Sequence, residues 1–370
     1  MKWHNYNNWH MRQDYEDDYL AHLCAHDLLT TSEVMDSVLG LDIDVARGYN
    51  PDIKMYRHYE MAVWNRDNES HPDERSYPIP KTDIDSNNWW LRYADGTKVT
   101  WTDPEGPWAY DFIDVGKSGV AEAYVSYSLA RLPNGYSGWT WDYLSHNISY
   151  YTGGKALRDY SSEDDWRENA WLPFLEAVCD GLSSYERIGN NPGFYGDGDP
   201  TSESQRALLT GAIQEHLFCL QGFDFGRRGY PNHASSLLES PLFEWVAEWK
   251  VPGWAGRLRA DYISTAIAYV LLYLPSGELA EKRAIGWRKY ACDRTYSDDI
   301  LTMVTSLGNP IEDYEESELL LQRRFQGGMV LVARSHMDKV SLPKPMWDAV
   351  RAEKVRSVLL WPGRGCVLVE

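Results

Sequence analysis

The 370-residue sequence lacks any apolar run that could cross a bilayer. Its longest, residues 266–274, falls far short of the ~20 residues a membrane helix needs. Positive charge is also short, with 36 Lys and Arg against 55 Asp and Glu and a net charge of −19. Phosphate binding needs clustered positive charge, so nucleic acid and anionic membranes are disfavoured as partners. The five cysteines (Cys24, Cys179, Cys219, Cys292 and Cys366) contain no Cys-x-x-Cys pair, which excludes the common zinc and redox motifs. His-Glu-x-x-His, clustered His/Cys sets, Gly-x-Gly-x-x-Gly and Gly-x-Ser-x-Gly are all missing. No metal, no nucleotide cofactor and no α/β-hydrolase elbow is therefore expected. No apolar stretch follows Met1, so the expectation is a chain that is cytoplasmic, leaderless or trimmed after secretion.

Phenylalanine is scarce at eight residues, whereas tryptophan and tyrosine are abundant at 17 and 25. Indole and phenol rings pair a flat apolar face with a polar tip, which suits stacking on sugars. A large core built from Trp and Tyr gives the same composition. A chain of this length buries such a core without a disulfide or metal.

Short apolar segments alternate with amphipathic helical ones, the signature of a parallel α/β fold. Strands are expected at 1–9, 27–31, 53–60, 138–144, 187–191 and 212–218, and 256–263 reads as a seventh ending at Asp261. Helices are expected at 17–25, 34–49, 115–132, 165–184 and 265–274. Residues 65–112 read as a long irregular loop, and one of that length inside a compact domain is usually functional. Within it, Asp95-Gly96 marks a hairpin turn. From residue 313 onward the pattern becomes antiparallel β, with turns at Gly327-Gly328 and Pro362-Gly363. The domains are thus 1–312 and 313–370. Gly196-Asp-Gly-Asp-Pro200 lacks the ligand spacing and terminal Glu of a calcium loop and reads as a solvated turn.

Several segments, in this order, resemble barrels of the α-galactosidase and endo-polygalactosaminidase type. They are Asn50-Pro-Asp-Ile-Lys-Met-Tyr56, Trp89-Trp-Leu-Arg-Tyr-Ala-Asp-Gly96, Ile113-Asp-Val-Gly-Lys-Ser118, Gly135-Tyr-Ser-Gly-Trp-Thr-Trp-Asp-Tyr143, Ala212-Ile-Gln-Glu215 and Arg324-Phe-Gln-Gly-Gly-Met-Val-Leu-Val332. Two departures stand out: Ser137 replaces an Asp, and Ala333-Arg334 replaces the Asn-Pro of the terminal β unit. The resemblance implies a (β/α)₈ TIM barrel with a small C-terminal antiparallel β domain, acting as a glycoside hydrolase on a polysaccharide or glycan.

In such barrels the site lies at the C-terminal ends of the strands. Glycosidic cleavage needs two carboxyl groups there. Asp142 and Glu215 stand at strand ends. Matching to the family pattern implies Asp142 as nucleophile or base and Glu215 as general acid. Glu60, ending the third strand, is a further candidate. Asn190, Asn191 and Asp261 are candidate sugar ligands. Tyr6, Trp9, His58, Trp139, Trp141 and Tyr143 are candidate stacking or contact residues, although alternate strand residues point away from the mouth. A non-catalytic carbohydrate-binding or structural barrel is the competing reading, and a polysaccharide lyase is a third.

Overall fold

The computed structural model describes residues 2–6, 19–24, 26–66, 76–102, 109–144, 147–215, 230–248, 257–287, 302–334 and 338–370. Its parallel strands, numbered here in chain order, are β1 (Lys2–Tyr6), β2 (Leu28–Thr31), β3 (Lys54–Glu60), β4 (Gly138–Asp142), β5 (Glu186–Asn190), β6 (Gly211–Glu215), β7 (Phe243–Glu248) and β8 (Arg283–Trp287). The chain forms two compact units. One comprises Asn5–Gly193 and Asp197–Ile213, and the other Met1–His4, Phe194–Gly196 and Gln214–Glu370.

In the first unit, β2, β3, β4, β5 and β6 pair in that order as a curled, half-barrel parallel sheet. Parallel sheets are covered by helices, so side chains must sort between two faces. Met55 and Leu29 join a core with Ile43 and Ala46, from the helix Ile43–Tyr49. Tyr59, Trp139 and Trp141 join a larger core with Tyr124, Phe174 and Leu175, from the helices Val120–Arg131 and Leu172–Gly181. Helix starts follow local chemistry. Asp42 accepts the Val45 N–H, and Asp199 accepts those of Thr201 and Ser202 with Pro200 in the first turn. Asp199 and its neighbour Asp197, which accepts the Asp199 N–H, thus serve as a cap and a turn.

The described part of residues 65–112 contains strands that the sequence did not suggest. Val63–Asn65, Ala109–Phe112 and Thr100–Thr102 form a three-stranded antiparallel sheet, with Ala109–Phe112 in the middle. These strands are too short for their alternation to stand out against the surrounding Asp, Asn and Pro. The Asp95-Gly96 turn is present: Tyr93 donates its N–H to Thr97 O and Gly96 takes φ +85°.

In the second unit, β1, β8 and β7 pair in parallel. The seventh strand is Phe243–Glu248, not 256–263. Asp261 lies within the helix Arg257–Leu272 and ends no strand. Its segment, Arg257-Leu-Arg-Ala-Asp-Tyr-Ile263, consists largely of good helix formers and runs unbroken into the apolar stretch that follows. A separate six-stranded antiparallel sheet forms from 315 onward. Val330, Val332, Val367 and Val369 pack against Ala266–Leu274 in one apolar core. Arg323 reaches from that sheet to the end of the helix, donating to the carbonyls of Leu271 (3.3 Å), Leu272 (3.1 Å) and Leu274 (2.6 Å).

Much of the tryptophan load is structural. Trp90, Trp139, Trp141, Trp166, Trp171 and Trp245 are among the largest fully buried side chains. Cys24, Cys179 and Cys366 are buried free thiols, and burial pushes Cys24 up to about 11 and Cys179 to about 12.

Candidate active site at the ends of β3, β4 and β5

Strand alternation leaves one set of residues on the face of the half-barrel away from the helix-packed core. Register places them in rows. Tyr56 lies beside Gly138 and Glu186, then His58 beside Thr140 and Ile188, then Glu60 beside Asp142. Asn190 completes the last row by donating its side-chain amide to Asp142 Oδ1 at 3.2 Å. The last row stands at the C-terminal ends of three consecutive parallel strands, where such sheets carry their sites.

The first row is an anchor. Glu186 accepts from the Tyr56 hydroxyl and pairs with Lys54 Nζ at 2.6 Å. Gly138 makes this crossing possible, because a Cβ there would lie 1.9 Å from the Glu186 carbonyl oxygen.

In the last row the two acids have unequal surroundings. Glu60 is wholly buried, its Oε2 accepts from Ser76 Oγ at 2.7 Å, and its Oε1 has no hydrogen-bond partner among the described residues. Burial raises its pKa well above the usual carboxylate range. The Asp142 charge adds to that rise, while the Ser76 hydrogen bond opposes it. Burial thus favours the neutral form of Glu60. Its backbone is also fixed, with its N–H donated to Ser76 O at 2.7 Å and its carbonyl accepting from Tyr124 OH at 3.1 Å.

Asp142 is half-buried, and its Oδ1 also accepts the Tyr143 N–H at 2.7 Å. That bond accompanies an uncommon backbone. Tyr143 has φ +52° and Asn191 φ +48°, so the residues just after β4 and β5 both occupy the left-handed region. A bulky side chain there is an outlier, and such strain clusters at functional sites. The turn carries the Tyr143 ring onto Tyr110, with centroids 4.7 Å apart. Burial, followed by the neighbouring Tyr110, Asp142 and Glu60, raises the Tyr143 phenol well above 10, keeping it a hydrogen-bond donor.

The other expected site residues fall out variously. His58 is buried one row below Glu60. Trp139 and Trp141 are fully buried in the helix-facing core, so neither offers a sugar face; their places in the alternation point them away from the row that holds Asp142. Asn191 is exposed and donates its N–H to Ile213 O at 2.8 Å. Tyr6 ends β1 and Glu215 ends β6, but both side chains, and Trp9 entirely, lie outside the described residues. Ser76 was missed by sequence reasoning, since nothing local marks a serine 16 residues away as the partner of Glu60. Among the described residues no cluster of three or more His, Cys, Asp or Glu side chains is placed to hold a metal, and no helix is long and apolar enough to cross a membrane.

No protein-family model and no curated protein sequence matches the chain. Solved structures do resemble it. Amy13B of Eubacterium rectale superposes with a TM-score of 0.50 at 10% identity, over 100% of this chain and 95% of that one. XgtA, an α-glucosyl transfer enzyme, gives 0.49 at 12% identity, over 99% and 98%. The glycoside hydrolase domain of PelA from Pseudomonas aeruginosa gives 0.44 at 12% identity, over 79% and 96%. At such identities the likeness is one of fold, and the Amy13B superposition carries it. The chain shares the fold of Amy13B.

Proposed function

We propose that this protein is a two-carboxylate glycoside hydrolase, with β1–β8 closing as a (β/α)₈ barrel and residues 313–370 forming the C-terminal β domain. The substrate is a neutral or cationic glycan, consistent with the net charge of −19. Asp142 acts as nucleophile or base, and Glu215 as general acid. Asn190 holds the Asp142 carboxylate, while Tyr143 and Asn191 contact the sugar. The finer likeness to α-galactosidase and endo-polygalactosaminidase barrels belongs to this reading.

The observation that supports it is the Glu60–Asp142–Asn190 row, in which one carboxyl is biased towards its neutral form by burial beside another that meets solvent. Of the two, Asp142 is the carboxyl with access to solvent at the strand ends, as a nucleophile or base requires. Glu60 is sealed from solvent and does not touch substrate. It is a positioning residue packed beside Asp142.

A non-catalytic glycan-binding barrel is the second reading, favoured by that same sealing of Glu60. The deciding experiment is turnover of α-linked hexasaccharides of glucose, galactose and N-acetylgalactosamine by the native chain and by Asp142→Asn. Cleavage by the native chain that falls at least about a thousandfold in the folded variant is expected, the scale of losing an essential catalytic group. Binding without cleavage in both proteins would leave the second reading standing.

A further inference from the structure

We propose that Trp101 and Tyr150 form a sugar-stacking subsite beside Asp142, taking the flat C–H face of a pyranose ring in the glycan. The ligand class rests on the glycan-cleaving reading, whereas the platform itself rests on ring geometry.

Trp101 occupies the edge strand Thr100–Thr102 of the small antiparallel sheet. It is half-exposed, flanked by two exposed threonines, in a protein that seals many of its other indoles in the core. Its position is held by neighbours. Tyr110, its register partner, stacks on it at 5.8 Å and 24°. Tyr151 meets it edge-on at 5.3 Å and 90°, and Tyr143 at 6.1 Å and 69°. An indole braced in this way loses little freedom when a ligand stacks on it, so binding is less opposed by ordering.

Tyr150 supplies the second ring. It is 63% exposed, which a core role does not require, and its centroid lies 6.3 Å from that of Trp101 with the planes inclined at 50°. Two inclined rings with polar tips match a sugar, which is apolar on its faces and hydroxylated at its rim. The platform joins the candidate site through Tyr143, whose ring touches Trp101 and whose N–H is bound to Asp142 Oδ1. A glycan passing over Asp142 is thereby offered a second hold on the same unit.

The test is calorimetric titration of the full-length Asp142→Asn chain, in which cleavage is switched off, with maltohexaose, isomaltohexaose and an α-1,4-linked N-acetylgalactosamine hexaose. At least one should bind. Adding Trp101→Ala or Tyr150→Ala should each weaken that binding about tenfold, and Trp101→Phe should restore most of it. Tyr150 is exposed enough to be truncated without loss of fold, so it keeps the test decisive if Trp101→Ala loosens the small sheet. Unchanged affinity in both alanine variants, or no binding of any hexaose, overturns the subsite. A native chain that binds through these rings yet cleaves nothing overturns catalysis alone, while cleavage insensitive to both rings overturns the subsite alone.

Discussion

Glu60 and Asp142 are register partners on adjacent parallel strands, yet Glu60 is wholly buried and Asp142 is half-buried. Parallel neighbours lie about 4.8 Å apart, so the two carboxyls share one electrostatic environment and differ chiefly in their access to water. Ser76 closes over Glu60, and the chain turn at Tyr143 leaves Asp142 in view.

A raised pKa makes Glu60 a liability as pH rises. The folded protein keeps its proton where the unfolded chain has already lost it. Stability from this group is therefore fully present below about pH 4.5 and declines as pH increases towards its folded value. Glu60→Gln, a neutral mimic that retains the Ser76 contact, should flatten this decline. Urea midpoints at pH 5 and pH 8 should differ less in the variant than in the native chain; equal differences would mean that Glu60 is ionised in the fold.

Gly138→Ala should be strongly destabilising, by about 3 kcal/mol or more, because the new methyl meets the Glu186 backbone 1.9 Å away and no side chain can move to relieve it. The β4–β5 pairing that aligns Asp142 with Asn190 would shift with it. A thermal midpoint within 2 °C of the native one, the response to about 1.5 kcal/mol in a chain this size, would contradict this account.

Arg323→Met removes a guanidinium that satisfies three carbonyls at the end of the helix Arg257–Leu272 while keeping much of the apolar stem. Buried acceptors left unpaired cost about 1–3 kcal/mol each. Partial rearrangement of the helix end should bring the total loss to about 3 kcal/mol, read from chemical denaturation. The same variant should leave the Asp142 site alone, so any residual turnover of the folded fraction should match that of the native chain.

His233 gives the opposite pH response to Glu60. It is fully buried, stacked on Tyr269 at 5.1 Å and 6°, and burial lowers its pKa to about 3. The unfolded chain takes up a proton near pH 6.5 while the folded one does not, so stability falls as pH drops from about 6.5 towards 3. His233→Phe should preserve the ring packing and remove that part of the acid sensitivity. Hydrogen exchange at pH 4.5 and pH 7 is the appropriate measurement.

Local pattern was enough to reveal β2 through β6, the Asp95-Gly96 turn and the antiparallel C-terminal strands, because each depends on neighbours close in sequence. It also put Glu60, Asp142 and Asn190 at strand ends. The strand Phe243–Glu248 escaped notice because its charged and apolar residues mix without clean alternation, and Asp261 was assigned to a strand although its segment continues a helix. Alternation divides Trp139, Thr140, Trp141 and Asp142 between two faces but cannot say which face the helices cover; packing decided that, and it buried the indoles. The pairing of Glu60 with Asp142 and the closing of Ser76 over one of them arise from contacts between distant segments, whose register and burial exist only once the sheet has formed.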